Sequence, residues 1–263
     1  MSHRFFSVRH LAAIAASLSL GSAAHAAQIN LTITAENLAP TNSISFAPLH
    51  FGIHNGSFDA FNIGQGATDP IISVAEGGSG VAWQAAFAAA DPGATRGTIG
   101  MPLFPGQTRS LTVMVDTAIN PFFTFAAMAI PSNDFFIGND SPTRFSLFNQ
   151  DGSLRITSIN QKASQLWDAG SEVLDPAAAA FVGNNALRAP QNSVVAFNFG
   201  EFAAYNGLTT AAGYTFNSAL SAGTDVYRIS FSAAPIPEPE ILAMMVSGLM
   251  VIGAIARRRR GRA

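Results

Sequence analysis

Apolar and polar residues alternate along positions 29–34. Ile29, Leu31 and Ile33 fall on one side, and Asn30, Thr32 and Thr34 on the other. A period of two is the mark of a strand with one buried face. Residues 110–115, 122–130, 153–159, 193–199 and 226–232 are further strand candidates, rich in β-branched and aromatic side chains. The run at 122–130 is almost wholly apolar. Between these runs stand turn-forming clusters: Pro105-Gly106, Gly138-Asn139-Asp140, Asp151-Gly152 and Asn206-Gly207. Short strands with such punctuation predict an all-β chain built as an antiparallel sandwich. The 21 phenylalanines suit two apolar sheet faces packed on each other. Residues 73–91 and 175–189 are alanine-rich and break the pattern. The first reads equally as a short helix or a long loop. No longer helical period is visible between residues 27 and 234.

The two ends follow a different pattern. Arg4 and Arg9 precede an apolar stretch at 11–20, and Ala24-His25-Ala26 supplies a small-x-small cleavage pattern. This order predicts a secretory signal peptide over residues 1–26. Residues 233–240 form a Pro-rich linker, and residues 241–256 are apolar and uncharged. Arg257, Arg258, Arg259, Arg260 and Arg262 close the chain in a basic tail, residues 257–263. Sixteen helical residues span about 24 Å, short of the roughly 30 Å of a hydrocarbon core. Flanking arginines make up the difference by snorkelling, and their charge places the tail on the cytoplasmic side. The prediction is one C-terminal transmembrane helix in the inner membrane.

Pro237-Glu238-Pro239, a short apolar helix and an arginine cluster, in that order, resemble the PEP-CTERM sorting signal. The resemblance covers about a tenth of the chain. It implies an exosortase-type processing enzyme as partner, cleavage near the signal, and delivery to the cell surface or extracellular matrix.

Charge narrows the partners of the intervening 208 residues. They hold seven basic and fourteen acidic residues, a net charge of −7, with Lys162 the only lysine. Nucleic acid is excluded as a partner, because phosphate neutralisation needs clustered Lys and Arg. The chain has no cysteine, so disulfides, thiolate nucleophiles and Cys-ligated zinc are excluded as well.

Two acidic clusters are candidates for chemistry. Residues 131–140 carry Asn133, Asp134, Asn139 and Asp140, just beyond a strand candidate; residues 167–172 carry Asp168 and Glu172 beside Gly170. Loop carboxylates near glycine and backbone carbonyls supply the hard oxygen ligands that Ca²⁺ takes. Neither cluster has EF-hand spacing. The same residues also serve as solvated turns in which Asp and Asn bond their own backbone.

Met128-Ala129-Ile130-Pro131-Ser132-Asn133-Asp134-Phe135-Phe136-Ile137-Gly138 resembles the Met-x-x-Pro-Ser-x-Asp-x-Phe-x-Gly segment of spondin-N domains. Asp168-Ala169-Gly170-Ser171-Glu172 is similar to their Asp-Ala-Gly-Thr-acid segment. His54-Asn55-Gly56-Ser57-Phe58-Asp59-Ala60-Phe61 is similar to a His-acid/Asn-Gly-Ser-Phe-Asp-x-Phe stretch of bacterial members. The resemblance spans residues 27–232. It implies a C2-like β-sandwich with a calcium ion at the loop end. By matching position, Asp134, Asp168 and Glu172 are its expected ligands, with Asp140 a lesser candidate. Val173-Leu174-Asp175-Pro176 departs from the Asn and further acid that often follow in relatives.

His50 and His54 could share a metal on a helix. Phe51-Gly52-Ile53 between them reads as strand, which sets the two about 13 Å apart. His54 then reads as a hydrogen-bonded structural residue beside Gly56. A Gly-x-Ser-x-Gly elbow is missing, since Gly77-Gly78-Ser79-Gly80-Val81 breaks it, and no glycine-rich loop leads into Lys. The expected function is an exported, calcium-binding adhesion module that contacts an extracellular polysaccharide or surface protein. The alternative is a secreted carbohydrate-active enzyme using the same loop carboxylates.

The sorting resemblance makes Glu238 the residue to change. In cells producing Glu238→Gln, fractionation and immunoblotting should find the unprocessed chain in the inner membrane. Unchanged surface delivery would overturn the expectation.

Overall fold

A computed structural model describes residues 28–236 and 247–250. The leader at 1–26, the Pro237-Glu238-Pro239 motif, the basic tail and all of the 241–256 segment except residues 247–250 lie outside the described residues. Among those described, no helix is long and apolar enough to cross a membrane.

The chain is mostly β. In order, it forms β1 (Gln28–Asn37), β2 (Ser45–Phe46), β3 (Leu49–His54), α1 (Asp69–Gly77), α2 (Val81–Ala90), β4 (Thr95–Ile99), β5 (Thr108–Asp116) and β6 (Phe122–Ile130). There follow β7 (Phe135–Gly138), β8 (Phe145–Ser146), β9 (Ser158–Lys162), β10 (Trp167–Asp168), β11 (Ala196–Phe197) and β12 (Asp225–Pro235). One sheet has the order β5-β1-β12-β9. The other runs β11-β10-β7-β6-β3-β4, with β2 and β8 paired to the two ends of β6. The ladders are antiparallel.

The sheets pack face to face, as the alternation at 29–34 predicts. Leu31, Ile33 and Ala35 of β1 share a core with Ile229 and Phe231 of β12 and with Phe51, Ile53, Phe123 and Phe125 of the second sheet. Aromatic pairs cross the interface: Phe123 meets Phe231 edge-on at 5.0 Å, and Phe46 meets Tyr227 at 4.7 Å.

The second sheet is covered on its outer face too. Residues 73–91, left open between helix and loop, belong to the helical hairpin α1–α2. Its side chains Ile71, Val74, Trp83 and Phe87 form a second core with Ala126 of β6 and Phe136 of β7. Thr68 caps α1, its hydroxyl accepting from the Ile71 amide, and Pro70 sits in the first turn. Burial on both faces explains why β6 is apolar except for Thr124 rather than alternating. It also fixes Gly52 on β3. A Cβ there would stand 2.1 Å from Cζ of Phe87, so the absence of a side chain is what lets α2 lie on the strand.

Two strand expectations need correction. Of residues 153–159 only the last two enter β9, which runs on to Lys162. The segment before it turns back, with Leu154 bridging to Phe148. Of residues 193–199 only Ala196–Phe197 pair, as β11. The connection at 175–189 is made of 3₁₀ turns at Pro176–Ala178 and Asn185–Leu187.

Gly52→Ala should cost about 1–3 kcal/mol in urea unfolding through overpacking against Phe87. Phe87→Leu made in the same chain should relieve part of that cost. Strict additivity of the two changes would show that the contact does not hold α2 in place.

Candidate metal centre

The turn at 131–134 leads from β6 into β7 and carries the first acid. Ser132 holds it: its hydroxyl donates to the Ala129 carbonyl at 2.6 Å and accepts from the Phe135 amide at 3.1 Å. In the neighbouring ladder Asp168 of β10 stands opposite Phe135. Asp134 and Asp168 therefore meet at one end of the second sheet. After Asp168 the chain reverses at Gly170, whose φ of +64° suits glycine. A Cβ there would lie 2.8 Å from the Val194 carbonyl oxygen. The reversal brings two amides onto Asp134: Oδ2 accepts from the Ser171 N–H at 2.8 Å and the Glu172 N–H at 3.0 Å. The Ser171 hydroxyl adds a third bond at 3.2 Å.

Asp134, Asp168 and Glu172 are 2%, 8% and 7% exposed. Burial pushes the Asp134 carboxyl up to about 6, and the nearby Asp168 charge adds to the rise against the pull of its three donors. Burial also raises Asp168, opposed by the Gly170 amide and the Asn198 side chain. Glu172 is pushed up to about 7, first by burial and next by Glu76; Arg188 opposes the shift. The Arg188 Nη1 lies 3.5 Å from Glu172 Oε1, while Nη2 donates to the Glu76 carbonyl at 3.2 Å. Glu201 is raised as well, by burial and then by Asp168.

The three expected ligands thus lie in one acidic region, ringed by Glu76 and Glu201, with Arg188 as the cation against them. Asp140 is elsewhere, beyond the opposite end of β7, where its Oδ1 accepts from the Ile63 amide at 3.1 Å. His54 has no nitrogen to spare. Nδ1 accepts from the Gly56 amide at 3.0 Å, so Nε2 carries the proton and donates to the Thr124 hydroxyl at 2.9 Å. Burial lowers its pKa to about 4. His50, on the same face of β3, bonds Thr98 and the Gly78 carbonyl.

Two observations test the fit to Ca²⁺. The donor set is all oxygen, as a hard cation requires. Oε2 of Glu172 is buried and makes no hydrogen bond among the described residues, so it has capacity for a cation. As the side chains stand, no three His, Asp or Glu among the described residues are grouped to hold a metal; Glu172 pairs instead with Arg188 at 3.5 Å. Arg188, Glu76, Glu201 and Asn198 escape local sequence reasoning. They reach the acids from a helix and two distant loops, with no spacing rule to announce them.

No family model matches the chain, and a search of curated proteins finds no match.

The acid shifts set a pH dependence. A carboxyl whose folded pKa is raised contributes full stability below the ordinary carboxylate range, near 4. That stability is lost as pH climbs through the folded values of about 6 for Asp134 and about 7 for Glu172. With chelator present, thermal melts should therefore fall from pH 5 to pH 8, and Asp134→Asn should flatten the slope. A flat profile in the parent chain would contradict the assignment.

Proposed function

We propose that this chain is an exported, calcium-stabilised interaction module, a C2-like sandwich of the spondin-N type. Its delivery to the surface or matrix follows exosortase-type processing after transient anchoring in the inner membrane. The observation that carries the calcium reading is the buried carboxylate group at one end of the second sheet. Asp134, Asp168 and Glu172 are buried, with Glu76 and Glu201 half-buried beside them; among the described residues Arg188 pairs with Glu172 alone, and Asp134, Asp168, Glu172 and Glu201 hold protons more tightly than usual. Such a group calls for positive charge, which a divalent cation supplies. Asp134, Asp168 and Glu172 would hold it. Bound calcium would tie the 131–134 turn to the 168–172 turn and stiffen the surface around them. The activity is binding; the partner is an extracellular polysaccharide or a surface protein.

The competing reading, a carbohydrate-active enzyme, draws on the same raised carboxyls, since a general acid needs one. It is weaker because Asp134 is almost wholly buried and already accepts three hydrogen bonds from the 171–172 turn. A polymer substrate has no approach to that oxygen.

Extracellular modules bind Ca²⁺ at about 10⁻⁴–10⁻³ M. At the tighter limit, about 1 mM Ca²⁺ adds about 1.4 kcal/mol to folding, or roughly 3–6 °C in Tm for a domain of this size. Calorimetric melts with Ca²⁺ and with EDTA should show that difference, and Asp168→Asn should shrink it. A melt indifferent to both additions would remove calcium from the reading. Glycan turnover abolished in a folded Asp168→Asn chain would favour the enzyme.

A further inference from the structure

A cavity of about 470 Å³ opens at the end of β7 opposite the acids, between the 138–144 turn, the start of β10 and β11. We propose that it binds a neutral saccharide unit stacked on Phe197. The assignment rests on the interaction-module reading and gives that module its ligand class; it does not depend on calcium.

The floor of the cleft is aromatic. The Phe197 ring is 47% exposed and lies 3.8 Å from that of Trp167, at 24° between planes. Trp167 is held beneath it, its indole N–H donating to the Gly138 carbonyl at 3.0 Å and its ring edge-on to Phe61 at 5.1 Å. An exposed phenyl ring on a fixed indole is a rigid platform for the C–H face of a pyranose.

The walls carry unused polar groups of both kinds. Lys162 donates its amide to Gln165 Oε1 at 2.9 Å, which leaves the Gln165 side-chain NH₂ for a ligand. Asp140 spends one oxygen on the Ile63 amide and keeps the other as an acceptor. Arg144 makes no ion pair among the described residues; its guanidinium lies 5.5 Å from the centre of the Phe145 ring. A sugar hydroxyl both donates and accepts, so it matches this mixture. A purely apolar ligand would bury Arg144 and Asp140 unsatisfied. One guanidinium and one carboxylate leave the cleft without net charge, which favours a neutral sugar over a uronate or a phosphate. The site is preformed. Asn139 anchors its turn by accepting from the Phe125 amide at 3.1 Å and donating to Thr124 and to the Ser141 carbonyl.

The test uses the full chain in detergent, with Ca²⁺ and again with EDTA. Probes are cellohexaose, chitohexaose, xylohexaose and maltohexaose, with hexagalacturonate as the anionic comparison. Tryptophan fluorescence reads the environment of Trp167, and titration calorimetry reads affinity. At least one neutral hexaose should bind, equally in both conditions. Phe197→Ala should weaken that binding about tenfold or more, as loss of a central aromatic anchor does, in a chain that still melts cooperatively. Gln165→Ala should weaken it severalfold. The proposal is overturned if no neutral probe binds a chain with a native melt, if hexagalacturonate binds more tightly than all of them, or if Phe197→Ala binds unchanged. In each case a calcium-dependent melt would leave the module reading standing, so the two failures are separable.

Discussion

Burial of β6 on both faces is the constraint from which the rest of the molecule follows. Phe123, Phe125, Ala127 and Ala129 face the first sheet, while Ala126 lies under the helical hairpin. A strand held this way cannot slip by one residue without exchanging its two sets of side chains between unlike cores. Its register therefore fixes β3 and β7 beside it. What hangs on β7 inherits that precision: the acidic turn precedes it, and the Gly138–Ser141 turn follows it. The two candidate sites are two ends of one four-residue strand.

The acidic end differs from the saccharide end in its physics. Around Asp134 the charged groups are mostly buried acids with Arg188 against only Glu172, so desolvation dominates and the Asp168 charge adds to it. Backbone amides offset part of this, but they are dipoles rather than charges. A site built so is unsettled until protons or a cation arrive. Around Asp140 the polar groups are exposed to the cleft, mixed in sign and already oriented. That end needs no counter-ion and is suited to hydroxyl recognition.

How much of this is legible in the chain depends on whether a signal is local. The long strands β1, β5, β6 and β12 show as alternation or apolar runs, because each carries its own record of which face is buried. The two-residue strand β10 does not, and β11 shows only as the overlong run 193–199, since their short pairing runs through Trp167 against Phe136 and Phe197 across the ladder. The hairpin α1–α2 was half visible. It showed as an alanine-rich break at 73–91 whose start misses the Thr68 cap of α1, and α2 is mostly alanine, with Trp83 and Phe87 as its only buried large residues. Two residues do not make a period. Likewise Asp134, Asp168 and Glu172 can be picked out by motif, whereas Arg188, which pairs with Glu172, comes from another loop.

The placement of β12 has a temporal consequence. It lies between β1 and β9, and pairs Ile29 with Pro235 across some two hundred residues of sequence. Neither the first sheet nor the core it covers can close until residues 225–235 are free to pair. Chains whose contacts span such separations fold slowly. A polypeptide threaded through a membrane residue by residue would stay open, and so fit to be threaded, until nearly all of this domain had crossed.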